Sequence, residues 1–190
     1  MNVTLRKPTM SREAFLAWAE RQHDRFEFDG FAPVAMTGGT IAHNRITLNL
    51  HRALHARLKD GPYQALGPDA GIATLGDAVR YPDAVIACGD LPGEARLVPA
   101  PVVVFEVVSA TSGKTDRIEK PRECQAVPSI LRYVIVELTE PGLTVLERAN
   151  GNDPWTARTL TSGETLSLPE VGTALPVDEI YEGIAPPSQP

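Results

Sequence analysis

The sequence predicts a mixed α/β fold: a central sheet of mixed strand direction flanked by helices. Pro101-Val-Val-Val-Phe-Glu-Val-Val108 is a continuous apolar run of strand length, rich in β-branched residues and interrupted only by Glu106; such a run reads as a strand covered on both faces. Asp83-Ala-Val-Ile-Ala-Cys88 is a second run of the same kind. The cover comes from a stretch starting near Thr40, where Ile46, Leu50, Ala53, Leu54 and Leu58 fall along one helical stripe.

Taken in order, Ser11 caps a first helix with Glu13 in its first turn, and Phe15, Trp18, Ala19 and Gln22 follow at helical spacing, with Trp18 as the expected core anchor. Residues 25–28 and 31–36 read as the arms of a hairpin closed by the two-residue turn Asp29-Gly30. Glu27 alternates with Phe26 and Phe28, which predicts a solvent-exposed face for it. After Gly38-Gly39 the second helix runs to Leu58, with His43, Asn44, His51 and His55 at its polar positions. His51 and His55 stand four apart, yet the Glu of an H-E-x-x-H zinc site is missing. His43, close to the helix start and to the glycines, is a candidate to face a site.

Short strands are expected around residues 63–66 and 71–75, followed by a Pro/Gly-marked loop over 90–100 between the two central strands. The glycines match neither phosphate-cradling pattern. Residues 117–126 read as a helix capped by Thr115 or Asp116, with Pro121 weakening its first turns. Arg132–Glu137 and Gly142–Glu147 are two further strands, and 155–160 and Thr165–Leu168 shorter outer ones. Residues 1–185 are expected to form a single domain and 186–190 a disordered tail.

Composition narrows the function classes. With 43% apolar and 22% charged residues in 190, the chain has the make-up of a soluble globular protein. It contains no apolar run of about 20 residues that would span a bilayer, and Met1-Asn-Val-Thr-Leu-Arg-Lys7 has no secretory apolar core, so a cytoplasmic location is expected. Cys88 and Cys124 form no C-x-x-C pair and read as reduced thiols. A net charge of −6 argues against strong non-specific affinity for nucleic acid, which comes mostly from phosphate neutralisation, but leaves room for a local basic groove.

The chemistry centres on Glu106. An ionised carboxylate inside an apolar strand is unfavourable by several kcal/mol unless a cation meets it. Asp83 opens the neighbouring run and Lys120 lies downstream, so two carboxylates and one ammonium can converge at one sheet end, an arrangement that suits a hard, oxygen-seeking cation such as Mg2+. Two other readings compete. In a catalytically silent binding or scaffold module, Glu106 would be half of an internal salt bridge with Lys120 or a buried Arg. In a carboxylate-pair glycosidase, Asp83 and Glu106 would flank a sugar, but aromatic residues, at 6%, are too few for a sugar platform.

Arg25-Phe-Glu-Phe-Asp-Gly30, Ala42-His-Asn-Arg-Ile46, Arg80-Tyr-Pro-Asp-Ala-Val85, Val104-Phe-Glu-Val-Val-Ser109, Thr115-Asp-Arg-Ile-Glu-Lys120 and Tyr133-Val-Ile-Val136 together resemble the successive motifs of the Uma2 family. These are bacterial proteins of the PD-(D/E)XK nuclease fold, described as restriction-type endonucleases. The resemblance spans about residues 10–185. It implies a restriction-endonuclease-like sheet and Mg2+-dependent hydrolysis of DNA, with Mn2+ as an alternative metal. Asp83 and Glu106 would be the metal ligands and Lys120 a catalytic cation, with Glu27 and His43 as second-tier site residues. Cutting both strands of a duplex would suit a homodimer. Where the wider fold carries a Lys two positions after the Glu, this chain has Val108, and Lys120 matches the Lys that replaces it on the following helix. Ser109-Ala110-Thr111, Pro121 and Cys124 depart from the family pattern around that Lys.

Overall fold

The structure, a computed structural model, describes residues 8–109 and 113–184; the expected tail at 186–190 and most of the Ser109-Ala110-Thr111 turn lie outside them. The first helix, α1 (Arg12–Ala19), begins at Ser11, whose hydroxyl accepts the Ala14 N–H at 3.3 Å. Strands β1 (Phe26–Phe28) and β2 (Pro33–Ala35) pair with Phe28 opposite Pro33, so the loop between them is four residues long rather than two. Asp29 builds it: Oδ1 accepts the N–H groups of Phe31 at 2.8 Å and Ala32 at 2.7 Å. Gly30 supplies the positive φ of 82°.

The long helix α2 (Ile41–Leu58) is capped by Thr40, which accepts the His43 N–H. Strands β3 (Tyr63–Leu66), β4 (Ile72–Ala73), β5 (Val79–Arg80), β6 (Ala84–Cys88) and β7 (Pro101–Val108) follow. A π-helical turn, Thr115–Glu119, leads directly into α3 (Lys120–Gln125). The chain then forms β8 (Arg132–Glu137), β9 (Gly142–Glu147), β10 (Thr156–Thr161), β11 (Thr165–Leu168), β12 (Thr173–Pro176) and α4 (Val177–Ile180).

Six of these strands make the predicted mixed central sheet, in the order β10-β9-β8-β7-β6-β3. Its one parallel pairing, β7 with β8, requires a crossover, and the segment carrying the π-helical turn and α3 provides it. A smaller sheet, β2-β1-β5-β4, stands beside it, and β11 pairs with β12.

Both faces of β7 are covered, as its unbroken apolar run requires. Val103, Phe105 and Val107 pack with Ile46, Leu50 and Leu54 of α2 and Val177 and Ile180 of α4. Val104 and Val108, one residue out of phase, pack on the other face with Cys124, Ile130, Tyr133 and Ile135. Burying each large apolar side chain contributes about 1.5–3 kcal/mol, which makes β7 the spine of both layers. A third cluster joins α1 to the small sheet through Phe15, Phe28 and Val79, the two phenyl rings stacked at 5.1 Å. Phe15, not Trp18, is the anchor there; Trp18 is half-buried against Phe26.

Candidate active site

Strands β6 and β7 run antiparallel with Ala84 opposite Phe105, so one step further along the same register Asp83 comes opposite Glu106. Alternation puts Glu106 on the α3 side of the sheet, between Val104 and Val108. The chain that leaves β7 crosses back over this face and returns Lys120 to it: the Lys120 Nζ lies 2.8 Å from Glu106 Oε1.

Pro121 does not disturb this placement because the helix before it is wound more loosely. In an α-helix the proline ring would crowd the carbonyl of Arg117 and leave it without a donor. Here the preceding turn is π-helical, and the Lys120 N–H reaches the Thr115 carbonyl five residues back. Neither Thr115 nor Asp116 caps the helix by a side-chain bond. Each is engaged one turn ahead instead, Thr115 with Glu119 at 3.1 Å and Asp116 with Lys120 at 3.1 Å.

Glu27 reverses its expected exposure. It is 6% exposed, because the face of β1 opposite Phe28 is covered too, by charges rather than by a core. Its carboxylate meets Lys120 Nζ at 3.1 Å and Arg80 Nη1 at 3.2 Å, and accepts the Tyr81 N–H at 3.2 Å. Arg80, 4% exposed, closes the rest of its fork on Glu123 at 2.7 and 2.8 Å. Neither Arg80 nor Glu123 was singled out by sequence reasoning. The available signal was an arginine immediately before Tyr81-Pro82-Asp83, in a strand only two residues long.

Asp83 is fixed from three sides. Its Oδ2 accepts the Val107 N–H at 2.7 Å and lies 3.2 Å from His43 Nε2, while its backbone carbonyl lies 2.9 Å from His51 Nε2. His51 thus braces the backbone. Gly39 leaves the space that the His43 ring fills: a Cβ there would come within 2.8 Å of it.

Electrostatics follow from this crowding. Burial pushes the Glu106 carboxyl up to about 7, the Lys120 charge opposing and the Asp83 charge assisting. Burial pulls the Lys120 ammonium down, but Glu106, Glu27 and Asp116 outweigh it and the net shift is upward. The hydrogen bond to Asp83 raises His43 against the effect of burial.

These groups line a cavity of about 780 Å³. Among the described residues around it, six carboxylates (Glu27, Asp29, Asp83, Glu106, Asp116, Glu119) face three fixed cations (Arg25, Arg80, Lys120). Thr47, on α2 one turn past His43, also lines it and buries a hydroxyl with no protein partner. No three described His, Cys, Asp or Glu side chains close into a ready-made metal cage. Mg2+ does not need one, since it commonly keeps several waters and takes one or two carboxylates. The Asp83 and Glu106 pair fits that requirement, and the acid excess fits a cation.

The sequence profile of the Uma2 family, described as "Putative restriction endonuclease", matches residues 12–178. The chain is 26% identical over 181 residues to the uncharacterized protein slr1290 of Synechocystis sp., covering 94% of each. A second Synechocystis protein, sll1609, is 21% identical over 141 residues, 72% of this chain and 80% of that one. The fold is similar to the crystal structure of a putative nuclease belonging to DUF820 from Anabaena variabilis, with a TM-score of 0.72 at 14% identity, covering 90% of this chain and 97% of that one. A family profile that spans the sheet, α2 and the crossover carrying Lys120 leaves one assignment: this chain belongs to the Uma2 family.

Proposed function

We propose that the protein hydrolyses phosphodiester bonds of DNA as a Mg2+-dependent endonuclease, with Mn2+ able to replace Mg2+. The observation that carries this reading is the placement of Asp83 one register step beyond the Ala84–Phe105 pair, on the same cavity wall as Glu106, with Lys120 held on Glu106, in a cavity whose carboxylates outnumber its cations. Such a cavity repels a phosphodiester unless positive charge is added, and membership of a family described as endonucleases fits that need.

Asp83 and Glu106 would hold the cation. When bound, it would supply charge neutralisation at the phosphate and make water a stronger nucleophile near neutral pH. The chain's own groups do the rest. Lys120 places a fixed positive charge beside Glu106, where it orients the attacking water or stabilises the phosphate. His43 and the Val107 N–H hold the Asp83 carboxylate in one orientation. Thr47 offers an unused hydroxyl to a bound water or phosphate oxygen.

A catalytically silent binding or scaffold module on the same fold is favoured by one observation, the completeness of Lys120's pairing with carboxylates. Incubation with supercoiled plasmid and with linear duplex, in Mg2+, Mn2+ or chelator, separates the two. The nuclease reading expects metal-dependent nicking or linearisation by the wild type and none by Asp83→Asn or Glu106→Gln. Equal products from wild type and both variants would overturn it.

A further inference from the structure

Lys120 has three protons to donate, and three carboxylates from three elements surround it: Glu106 at 2.8 Å, Glu27 at 3.1 Å and Asp116 at 3.1 Å. The Glu106 contact is a hydrogen bond and the other two are ion pairs; three negative charges around one ammonium repel an arriving phosphate, so one partner must yield to it. The three are not equally free. Glu106 belongs to the central strand. Glu27 is locked from behind, since releasing it would strand the buried Arg80 Nη1 and the Tyr81 N–H. Asp116 sits on the π-helical turn with its side chain 35% exposed, on the cavity wall. Exchanging its single negative charge for that of a phosphodiester leaves the charge around Lys120 unchanged.

We propose that Arg80 and Glu27 are positioning residues that hold the Lys120 ammonium on Glu106, and that Asp116 is the partner which a substrate phosphate displaces. The displacement half rests on the nuclease reading; the positioning half does not, and the first measurement needs neither metal nor DNA. Metal-free protein is treated with an amine-reactive ester and labelling is followed peptide by peptide, with Lys114, whose side chain is 72% exposed, as the internal reference. In the wild type Lys120 should label far more slowly than Lys114. Glu27→Gln should raise Lys120 labelling about tenfold by loosening a charge-assisted contact, and Asp116→Asn much less. Should Glu27→Gln fail to fold, Glu27→Asp, which keeps the charge but is too short to reach both Arg80 and Lys120, carries the same comparison. A folded Glu27 variant with Lys120 labelling unchanged overturns the positioning role.

The second measurement is steady-state cleavage of plasmid DNA. Asp116→Asn should lower KM severalfold by removing the competing anion, whereas Glu27→Gln should lower kcat with little change in KM. An Asp116→Asn variant with raised KM overturns the displacement. A wild type that cleaves no DNA overturns the displacement together with the nuclease reading, and the labelling result still decides the positioning role.

Discussion

Among the described residues, two buried ionic networks are built to opposite rules. At the far end of β8, Arg132 pairs with Glu147 and with Glu170 at 2.7 Å, and Arg158 reaches Glu147 at 3.0 Å: two cations against two anions, each satisfied by the others. At the β6/β7 end, Arg80 and Lys120 face Glu27, Glu106, Glu123 and Asp116, with Asp83 close enough to push Glu106 further up. A balanced network needs nothing further and acts as a brace between β8, β9, β10 and the turn at Glu170. An unbalanced one keeps like charges together in a partly desolvated cleft, an arrangement that is stable only at a cost and that a cation would relieve.

Removing the central cation of each network tests that contrast. Arg132→Met should strand Glu170, leave Glu147 with Arg158 alone and destabilise the fold by about 3–5 kcal/mol, with urea midpoints that ignore Mg2+. Lys120→Met should cost less, about 3 kcal/mol, because Glu106, already pushed up to about 7, can take a proton and shed its charge. Adding millimolar Mg2+ should recover part of that loss for Lys120→Met and none for Arg132→Met. Equal recovery in both would remove the distinction between the two networks.

The β6/β7 network should also respond to pH through Glu106. Between its ordinary pKa near 4.5 and the value of about 7 in the fold, Glu106 binds more protons in the folded than in the unfolded chain. Its contribution to stability is therefore fully present below that window and is lost as pH rises through it. Glu106→Gln removes this dependence, so the variant's melting temperature relative to wild type should climb from about pH 5 to about pH 8 in metal-free buffer. A constant difference would mean that Glu106 is not perturbed as the cleft geometry requires. The smallest effect should come from Gly39→Ala, which crowds the His43 ring at 2.8 Å. Stability should move by less than about 1 kcal/mol, whereas Mg2+ affinity by calorimetry should fall about tenfold through the loosened Asp83 carboxylate.

How legible each part was in the sequence depended on what covers it. Strands β6 and β7 and helix α2 could be read directly, since apolar side chains cover them and leave long runs and stripes: Asp83 to Cys88, Pro101–Val108, and Ile46 through Leu58. Their expected pairing brings Asp83 and Glu106 to one sheet end. Glu27 was misread because alternation reports only that its face differs from that of Phe28, and a face covered by Arg80 and Lys120 leaves no apolar signature. For the same reason the two-residue strand holding Arg80 was missed. Strand β12 and helix α4, each four residues long, are too short to show a period. The Asp29-Gly30 pair signalled a turn, but Asp29's two side-chain bonds to Phe31 and Ala32 set its length.

On the proposed function, the cleft at the β6/β7 end is a cation site and not a second brace. Melting wild type and Glu106→Gln, each with and without millimolar Mg2+ at about pH 8, where Glu106 would be ionised, tests it directly. Lys120 keeps Glu27 and Asp116 when Glu106 is neutralised, so the variant should melt at or above the metal-free wild type and ignore Mg2+, while the wild type gains stability from it. A wild type indifferent to Mg2+, with a variant melting well below it, would contradict the claim and make Glu106 half of a structural salt bridge.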